Sequence, residues 1–362
     1  MLSDSQNSIF AWRTNAAKKS NVGFEVVFKQ HCAGLPPPLS AHEHFGFVDN
    51  ISQPGLRGRV SEKETDVLTL RQDPDEPNNG KSGQELIWTG EFVFDYPTES
   101  EFPDPQEPAE LNRKPGPVAA AGPIWAEDGS FLVIRRLRQD VKVFHEFLNS
   151  KSNELGINPD YLGAKLVGRW RSGAPVMRVP FNDDPALGAN DCANNNFEFL
   201  VEGETMQTPV TSPNQCNDQH ADTAQPDPKG LRCPFAAHIR KAYPRDDAST
   251  LLGDKMNENL VQNRRLLRRG IPFGTPYHPE LDTEQTPDSG NRGLMFLCYQ
   301  TSIVEQFECV QKYFSNDPEF KDKSENGVLQ TGHDFIIGQS NGDDGKRVRT
   351  FVLPLEKKGI PS

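Results

Sequence analysis

Hydrophobic and polar positions along this chain follow two different periods, and the switches between them locate its elements. After Gly129, the run Ser130 to Arg136 is dense in β-branched and aromatic residues and reads as a strand. Asp140 to Leu155 follows with Val143, Phe144, Phe147 and Leu148 at three- and four-residue spacing, the signature of a helix. The same order returns later. Gly293 opens a strand from Leu294 to Gln300, and Ser302 to Phe314 continues as an amphipathic helix with Ile303, Phe307, Val310 and Phe314 on one stripe. Two such strand-helix units predict an α+β domain of ferredoxin-like type, in which helices cover one face of an antiparallel sheet.

Outside these units the pattern is weaker. Residues 22–30 carry β-branched and aromatic residues and read as a strand, ended by the Pro run between Leu35 and Leu39. Glu85 to Tyr96, with Trp88, Phe92, Val93 and Phe94, predicts a short strand or hairpin. Phe102 to Pro123 holds six prolines and an Ala-Ala-Ala-Gly tract, which can propagate neither a helix nor a ladder, so a domain boundary is expected at its end. The expected division is 1–123 and 124–362. Val201 to Arg232 is polar, poor in aliphatics, and reads as an exposed loop.

Charge and cysteine usage narrow the classes. Formal net charge is -12, which argues against a phosphate-backbone ligand, so nucleic acid is not an expected partner. The longest apolar runs fall far short of the ~20 residues a membrane helix requires, so no membrane association is expected. No secretory signal is legible in Met1 to Asn21, which predicts a cytoplasmic protein, or a secreted one if the true start is missing. The six cysteines form no Cys-x-x-Cys pair, which indicates neither a zinc site nor a dense disulfide framework. Cys298, in an apolar strand, reads as a buried reduced thiol, and Cys192 with Cys216 could pair across the polar loop.

Three segments carry candidate chemistry: Glu43-His-Phe-Gly46-Phe-Val-Asp49-Asn-Ile-Ser-Gln-Pro54, Cys233-Pro-Phe-Ala-Ala-His238-Ile-Arg-Lys241 and Arg264-Arg-Leu-Leu-Arg268-Arg-Gly-Ile-Pro-Phe-Gly274. With Gly129-Ser-Phe-Leu-Val-Ile-Arg-Arg136, Val167-Gly-Arg-Trp-Arg-Ser-Gly-Ala-Pro175 and Gly293-Leu-Met-Phe-Leu-Cys-Tyr-Gln300, they stand in an order that resembles the dye-decolourising (DyP-type) haem peroxidases. The resemblance runs from about Glu43 to about Gly338. It implies a haem-dependent peroxidase acting on hydrogen peroxide and small aromatic donors, phenols or dyes. The implied cofactor is one non-covalent haem b (heme b, iron protoporphyrin IX), since no Cys-x-x-Cys-His attachment motif is present. Relatives have the ferredoxin-like fold twice, and this chain has only about forty residues before the Asp49 loop, so the first domain is expected to be truncated. An uncovered apolar face would follow, and with it a possible homodimer.

By motif match, His238 is the proximal iron ligand, Asp49 the distal acid/base and Arg268 the distal charge stabiliser. Asn50 stands where the family has Gly. Asn tolerates positive φ, but its amide would crowd the haem face. Arg269 either pairs with a haem propionate or faces solvent. Leu294 and Phe296 project to one side of their strand and would wall the distal pocket, a role ordinary core residues fit equally. Asp334, in Gly332-His-Asp-Phe-Ile-Ile-Gly338, resembles the carboxylate that receives the second ring nitrogen of the proximal His, or it is a turn cap. His42 and His44 read as structural. Trp125, Trp170 and Tyr299 are candidate surface oxidation sites. Competing readings are a haem carrier without turnover and a pseudoenzyme completed by a partner chain.

Overall fold

The computed structural model describes residues 26–59, 84–99, 113–114, 123–191, 193–200, 225–247, 249–251, 254–256, 261–278, 291–320, 323–324, 327–328, 331–339 and 350–354. The chain divides into a unit at 1–32 and a unit at 33–362. Most of the Pro-rich segment expected to mark a boundary lies outside the described residues, as do Cys192 and Cys216. In the first unit the strand expected at 22–30 is absent from its described part, 26–30. β-branched residues favour extended backbone, but a strand exists only where a ladder forms, and Val27 there is 88% exposed.

In chain order the main elements of the second unit are β1 (Phe131–Arg138), α1 (Val141–Leu155), α2 (Pro159–Val167), α3 (Pro185–Ala189), α4 (His238–Ala242), β2 (Leu267–Phe273) and β3 (Gly293–Gln300). Ile303–Glu308 and Val310–Ser315 then wind as π-helix. The sheet is antiparallel with β3 central, and Phe296 sits between Arg135 of β1 and Gly270 of β2. This is the expected α+β architecture, its helical layer on one face. β2 had no strand expectation of its own, because Arg268-Arg-Gly interrupts the apolar run.

Each helix starts and stops for local reasons. In α1, Val141, Phe144, Leu148 and Ser152 form the buried stripe, and Gly156 closes it in the left-handed conformation. Burying Phe144 and Leu148 stabilises by about 1.5–3 kcal/mol each. The side chain of Asn158 caps α2 by accepting from Asp160 N and Tyr161 N, with Pro159 at its first position. Gly168 ends it at φ +93°, and a Cβ there would lie 2.4 Å from Ile239 Cγ1. Its bare Cα lets the end of α2 rest on α4, the helix that begins at His238.

The amphipathic stripe at 302–314 is present in altered form. Ser302 caps it through Glu305 N at 3.1 Å, and Phe307, Val310 and Phe314 are buried as expected. The winding is wider, since Asn316 N donates to Gln311 O five residues back at 3.1 Å. A three- to four-residue apolar period does not distinguish the two windings over three turns.

Strand alternation sorts the sheet into two unlike faces. Leu137, Arg135, Leu294, Phe296, Arg268 and Gly270 share one face, by register. The π-helical segment covers it, with the Phe296 and Phe307 rings 6.3 Å apart and the Arg135 guanidinium 5.2 Å above Phe307. On the other face, Leu132, Ile134 and Tyr299 are 41%, 53% and 46% exposed.

Two further expectations are refined. Within 85–96 the short-strand alternative holds: Leu86–Ile87 pairs parallel to Gly55–Leu56, and a 3-10 turn at Thr89–Glu91 follows in place of a hairpin. Gly90 is the reason: a Cβ there would lie 2.1 Å from Tyr96 O, so the chain turns tightly back on itself. The described end of the polar loop, 225–232, is not wholly exposed. Asp227 is buried, accepting from the backbone N–H of Leu231, Arg232 and Cys233 and from Arg240, and that satisfaction permits its burial. Phe351 makes only an isolated bridge to Gly332 near the chain's end.

Candidate active site

α4, β2, β3 and the loop around Asp49 line one cavity of about 740 Å³, within the range of small-molecule and cofactor sites. His238 stands at the first position of α4. Its Nδ1 donates to Asp334 Oδ2 at 2.8 Å, which leaves Nε2 with its lone pair and, among the described residues, no hydrogen-bond partner. Asp334 is fully buried, and its Oδ1 accepts from Ile336 N at 2.8 Å and Ile337 N at 3.0 Å. It is therefore both the turn cap and the partner of His238, the two readings its sequence context left open. Burial acts to raise the Asp334 carboxyl, but the charge and hydrogen bond of His238, with the two N–H donors, outweigh it and hold the group below the usual carboxylate range. The same pairing lifts His238 above its ordinary value, against the opposing effect of burial.

Across the cavity, Asp49 Oδ1 lies 3.7 Å from Arg268 Nη1. Arg268 Nη2 donates to Ile51 O at 3.0 Å, and its backbone N–H donates to Gln53 Oε1 at 3.2 Å, with Gln53 Nε2 returning a bond to Arg268 O. β2 and the distal loop are thus clamped together at the Arg. The fields of Arg268 and Asp49 both reach His238, with opposite signs. Asp49 Oδ2 is buried without a hydrogen-bond partner among the described residues. It sits over Gly270, where a Cβ would lie 2.2 Å from it, so only Gly admits the carboxylate there.

Asn50 adopts φ +63°, the left-handed conformation its Gly-like position requires. Its carbonyl oxygen accepts from Gly270 N at 3.4 Å, so the amide turns toward β2. Asn50 and Gly270 both line the cavity, so the amide stays at its wall. Leu294 and Phe296 line the cavity as expected. Arg269 does not join them. One residue beyond Arg268 on a period-two strand, it projects from the opposite face and is exposed, which corrects its expected role at the cofactor and leaves the solvent-facing reading. His44 Nε2 bonds Phe273 O at 2.9 Å, and His42 Nδ1 lies 2.8 Å from Ser40 O.

Sequence reasoning passed over two residues. Glu43 anchors the distal loop by accepting from Phe45 N at 2.8 Å and Phe47 N at 2.9 Å, and from Gln139; burial, working against these bonds, raises its carboxyl. Arg169 is buried in the cavity wall, where burial first and Arg245 second push it down to about 9. Its guanidinium donates to Gly173 O and Asn194 O. The Gly-Arg-Trp-Arg string was the available signal, but nothing in it separates a wall residue from a surface one.

The residues fit a haem. One face of the cavity offers an unpartnered imidazole nitrogen, the other a buried carboxylate oxygen with no partner beside a fixed cation, and the walls include Leu294 and Phe296. A buried carboxylate oxygen of that kind is costly unless a ligand meets it.

A family model described as Dyp-type peroxidase, C-terminal, matches residues 220–330. The chain is 33% identical over 317 residues to a dye-decolorizing peroxidase of Mycena epipterygia, covering 86% of this chain and 48% of that protein. It is 31% identical to dye-decolorizing peroxidase msp1 of Mycetinis scorodonius, covering 90% of this chain and 52% of that one. The chain therefore spans about half the length of the curated relatives it matches. Among solved structures, a fungal DyP-type peroxidase from Auricularia auricula-judae is similar at 27% identity and TM-score 0.66, over 98% of this chain and 67% of that one.

Proposed function

This chain belongs to the dye-decolourising peroxidase family, and on that premise we propose that it is a haem b peroxidase, reducing hydrogen peroxide at the expense of phenolic or dye-like donors. The observation that carries the reading is the buried, unpartnered Oδ2 of Asp49, held beside Arg268 and across the cavity from His238.

Bound haem would supply the iron that binds peroxide and accepts its oxidising equivalents. Everything else falls to the chain. His238 Nε2 would hold the iron, and Asp334, by accepting the Nδ1 hydrogen bond, fixes the tautomer and increases the electron density the ring can donate. Asp49 Oδ2 takes a proton from one peroxide oxygen and returns it to the other, which leaves as water. Arg268 offers its guanidinium charge to the oxygen that gains electrons. Gln53 and Ile51 keep that charge in place before reaction, so no reorganisation is needed. Two donor molecules then each give one electron and one proton, which completes the reduction of peroxide to two waters.

Haemin titration followed by peroxide addition tests this. The protein should take up one haem with a sharp Soret band, consume peroxide and oxidise a phenol, and His238→Ala should retain little haem. An unchanged Soret band in that variant would remove His238 as ligand. A bound haem inert to peroxide would leave the haem-carrier reading.

A further inference from the structure

Five residues beyond His238, Tyr243 closes α4 and lines the same cavity. Its hydroxyl donates to Glu85 Oε1 at 2.6 Å, a short charge-assisted bond, and accepts from Gln262 Nε2 at 3.0 Å. Arg265 pairs with the other oxygen of Glu85 and stacks its guanidinium 3.9 Å from the centre of the Tyr243 ring, with Arg245 at 5.1 Å. Glu85, Arg265 and Arg245 are all buried.

A structural clamp would need less than this. To hold residues 84–87 against the 243–265 region, the Glu85–Arg265 pair suffices, and a Phe at position 243 would stack under the same guanidinium. The hydroxyl adds one property: it places a phenol proton on a carboxylate at hydrogen-bond distance, in the wall of a cavity fitted for an oxidant. Loss of an electron makes a phenol strongly acidic, so a phenol oxidises readily only where a base can take its proton in the same event. Burial opposes ionisation of Glu85, but Arg265 and Arg245 overcome it and hold the carboxyl below its usual range, so the acceptor is ionised and ready. By contrast, Tyr161 is buried against Trp170 in the core. Tyr299 lies on the opposite face of the sheet from the cavity.

We propose that Tyr243 is a redox-active residue, an internal electron donor to the peroxide-oxidised haem, with Glu85 as its dedicated proton acceptor. The inference rests on the peroxidase reading above. In the step, the Tyr243 O–H bond breaks, one electron passes to the haem, the proton passes to Glu85 Oε1, and a neutral tyrosyl radical is left with Gln262 still donating to its oxygen. A phenolic donor restores the pair by giving one electron, Glu85 returning its proton to the Tyr243 oxygen, while the donor's own proton passes to solvent and leaves a phenoxyl radical. Charge is conserved at each stage. Shuttling the proton over one short bond avoids creating a buried tyrosine cation between two arginines.

The test uses haem-loaded protein mixed with peroxide without donor, freeze-quenched, and read by electron paramagnetic resonance, with haem absorption recorded in parallel. Wild type should give a tyrosine-type signal that narrows with ring-deuterated tyrosine, and Tyr243→Phe should lose it while its haem band still responds to peroxide. Glu85→Gln keeps the shape and the hydrogen bond but takes no proton, so the signal should form at least about tenfold more slowly. A wild-type haem that reacts without any tyrosine signal, or a signal undiminished in Tyr243→Phe, overturns the proposal. If Tyr243→Phe does not bind haem, Glu85→Gln decides, and an unchanged rate of signal formation overturns it. A wild-type haem that does not respond to peroxide at all is a failure of the peroxidase reading, distinguishable by the absorption trace.

Discussion

The two sides of the cavity are built on opposite principles. On the His238 side every polar atom except one is spoken for: Nδ1 is bonded to Asp334, which in turn receives two backbone N–H groups and is fully buried. On the Asp49 side the loop is clamped by Gln53 and Glu43, yet its chemically central atom, Asp49 Oδ2, has no partner, and the Arg268 contact is long at 3.7 Å. A ligand that must hold a metal gains from saturation, because orientation and basicity are fixed beforehand. A group that must pick up and release a proton gains from an open lone pair. The contrast assigns binding to one side and reaction to the other.

The contrast can be broken most severely at Arg268. Arg268→Leu should lower kcat by about 10²–10³-fold, some 3–4 kcal/mol, while haem affinity is nearly unchanged. Comparable losses in both would mean the distal side also holds the cofactor. Next in size is Gly270→Ala, which keeps every functional side chain but places a methyl 2.2 Å from Asp49 Oδ2. A displacement of about 1 Å at a reacting group can cost up to about 10²-fold, so the rate of reaction with peroxide should fall without loss of haem. A full-rate variant would show that Asp49 need not stand where it does.

On the opposite side, Asp334→Asn should weaken haem retention by about 10–100-fold, measured by transfer of haem to an acceptor protein. The rate of reaction with peroxide should change less than the retention, and the reverse order would dissolve the division of labour. Smallest is an effect on the haem-free protein. Asp334 is lowered, so its contribution to stability is present above its unfolded value near 3.8 and is lost as pH falls through the folded value. His238 is raised, so its contribution is full below its unfolded value near 6.5 and is lost as pH rises through the folded value. The thermal stability of the haem-free chain should therefore peak between those limits, and Asp334→Asn should flatten the peak.

The elements with the clearest period were legible in the sequence: β1, α1 and β3 fall within a residue or two of the pattern, and the buried stripe of 302–314 was correct although its winding was not. β2 was hidden because its alternation places Arg268, Gly270 and Pro272 on the cavity face, a set chosen for chemistry that carries no hydrophobic signature. Within the site, His238, Asp49, Arg268, Leu294, Phe296 and Asp334 could be named because short motifs surround them. Arg269 was left open between a propionate and solvent, and its exposed place on the opposite face follows from a strand period that the local sequence did not reveal. Glu43, Arg169 and the Tyr243–Glu85 pair could not be found that way. The Tyr243–Glu85 contact spans 158 residues, which no local spacing encodes, and the bonds of Glu43 to Phe45 N and Phe47 N, though local, lie in a loop without a hydrophobic period.

Among the described cysteines, Cys233, Cys298 and Cys309 are buried and free, and Cys32 is more accessible. Burial pushes the first two thiols up to about 12 and the third to about 11. At neutral pH a thiol of pKa 12 is thiolate in only about one molecule in 10⁵, and the thiolate is the form that attacks peroxide. A protein whose proposed substrate is an oxidant thus keeps its core sulfur chemically silent toward it, Cys298 included, although that residue shares a strand with the cavity wall. Among the described cysteines, damage from excess peroxide should begin at Cys32, and mass spectrometry of the treated protein would find sulfenic or sulfinic acid there long before Cys233, Cys298 or Cys309 is modified.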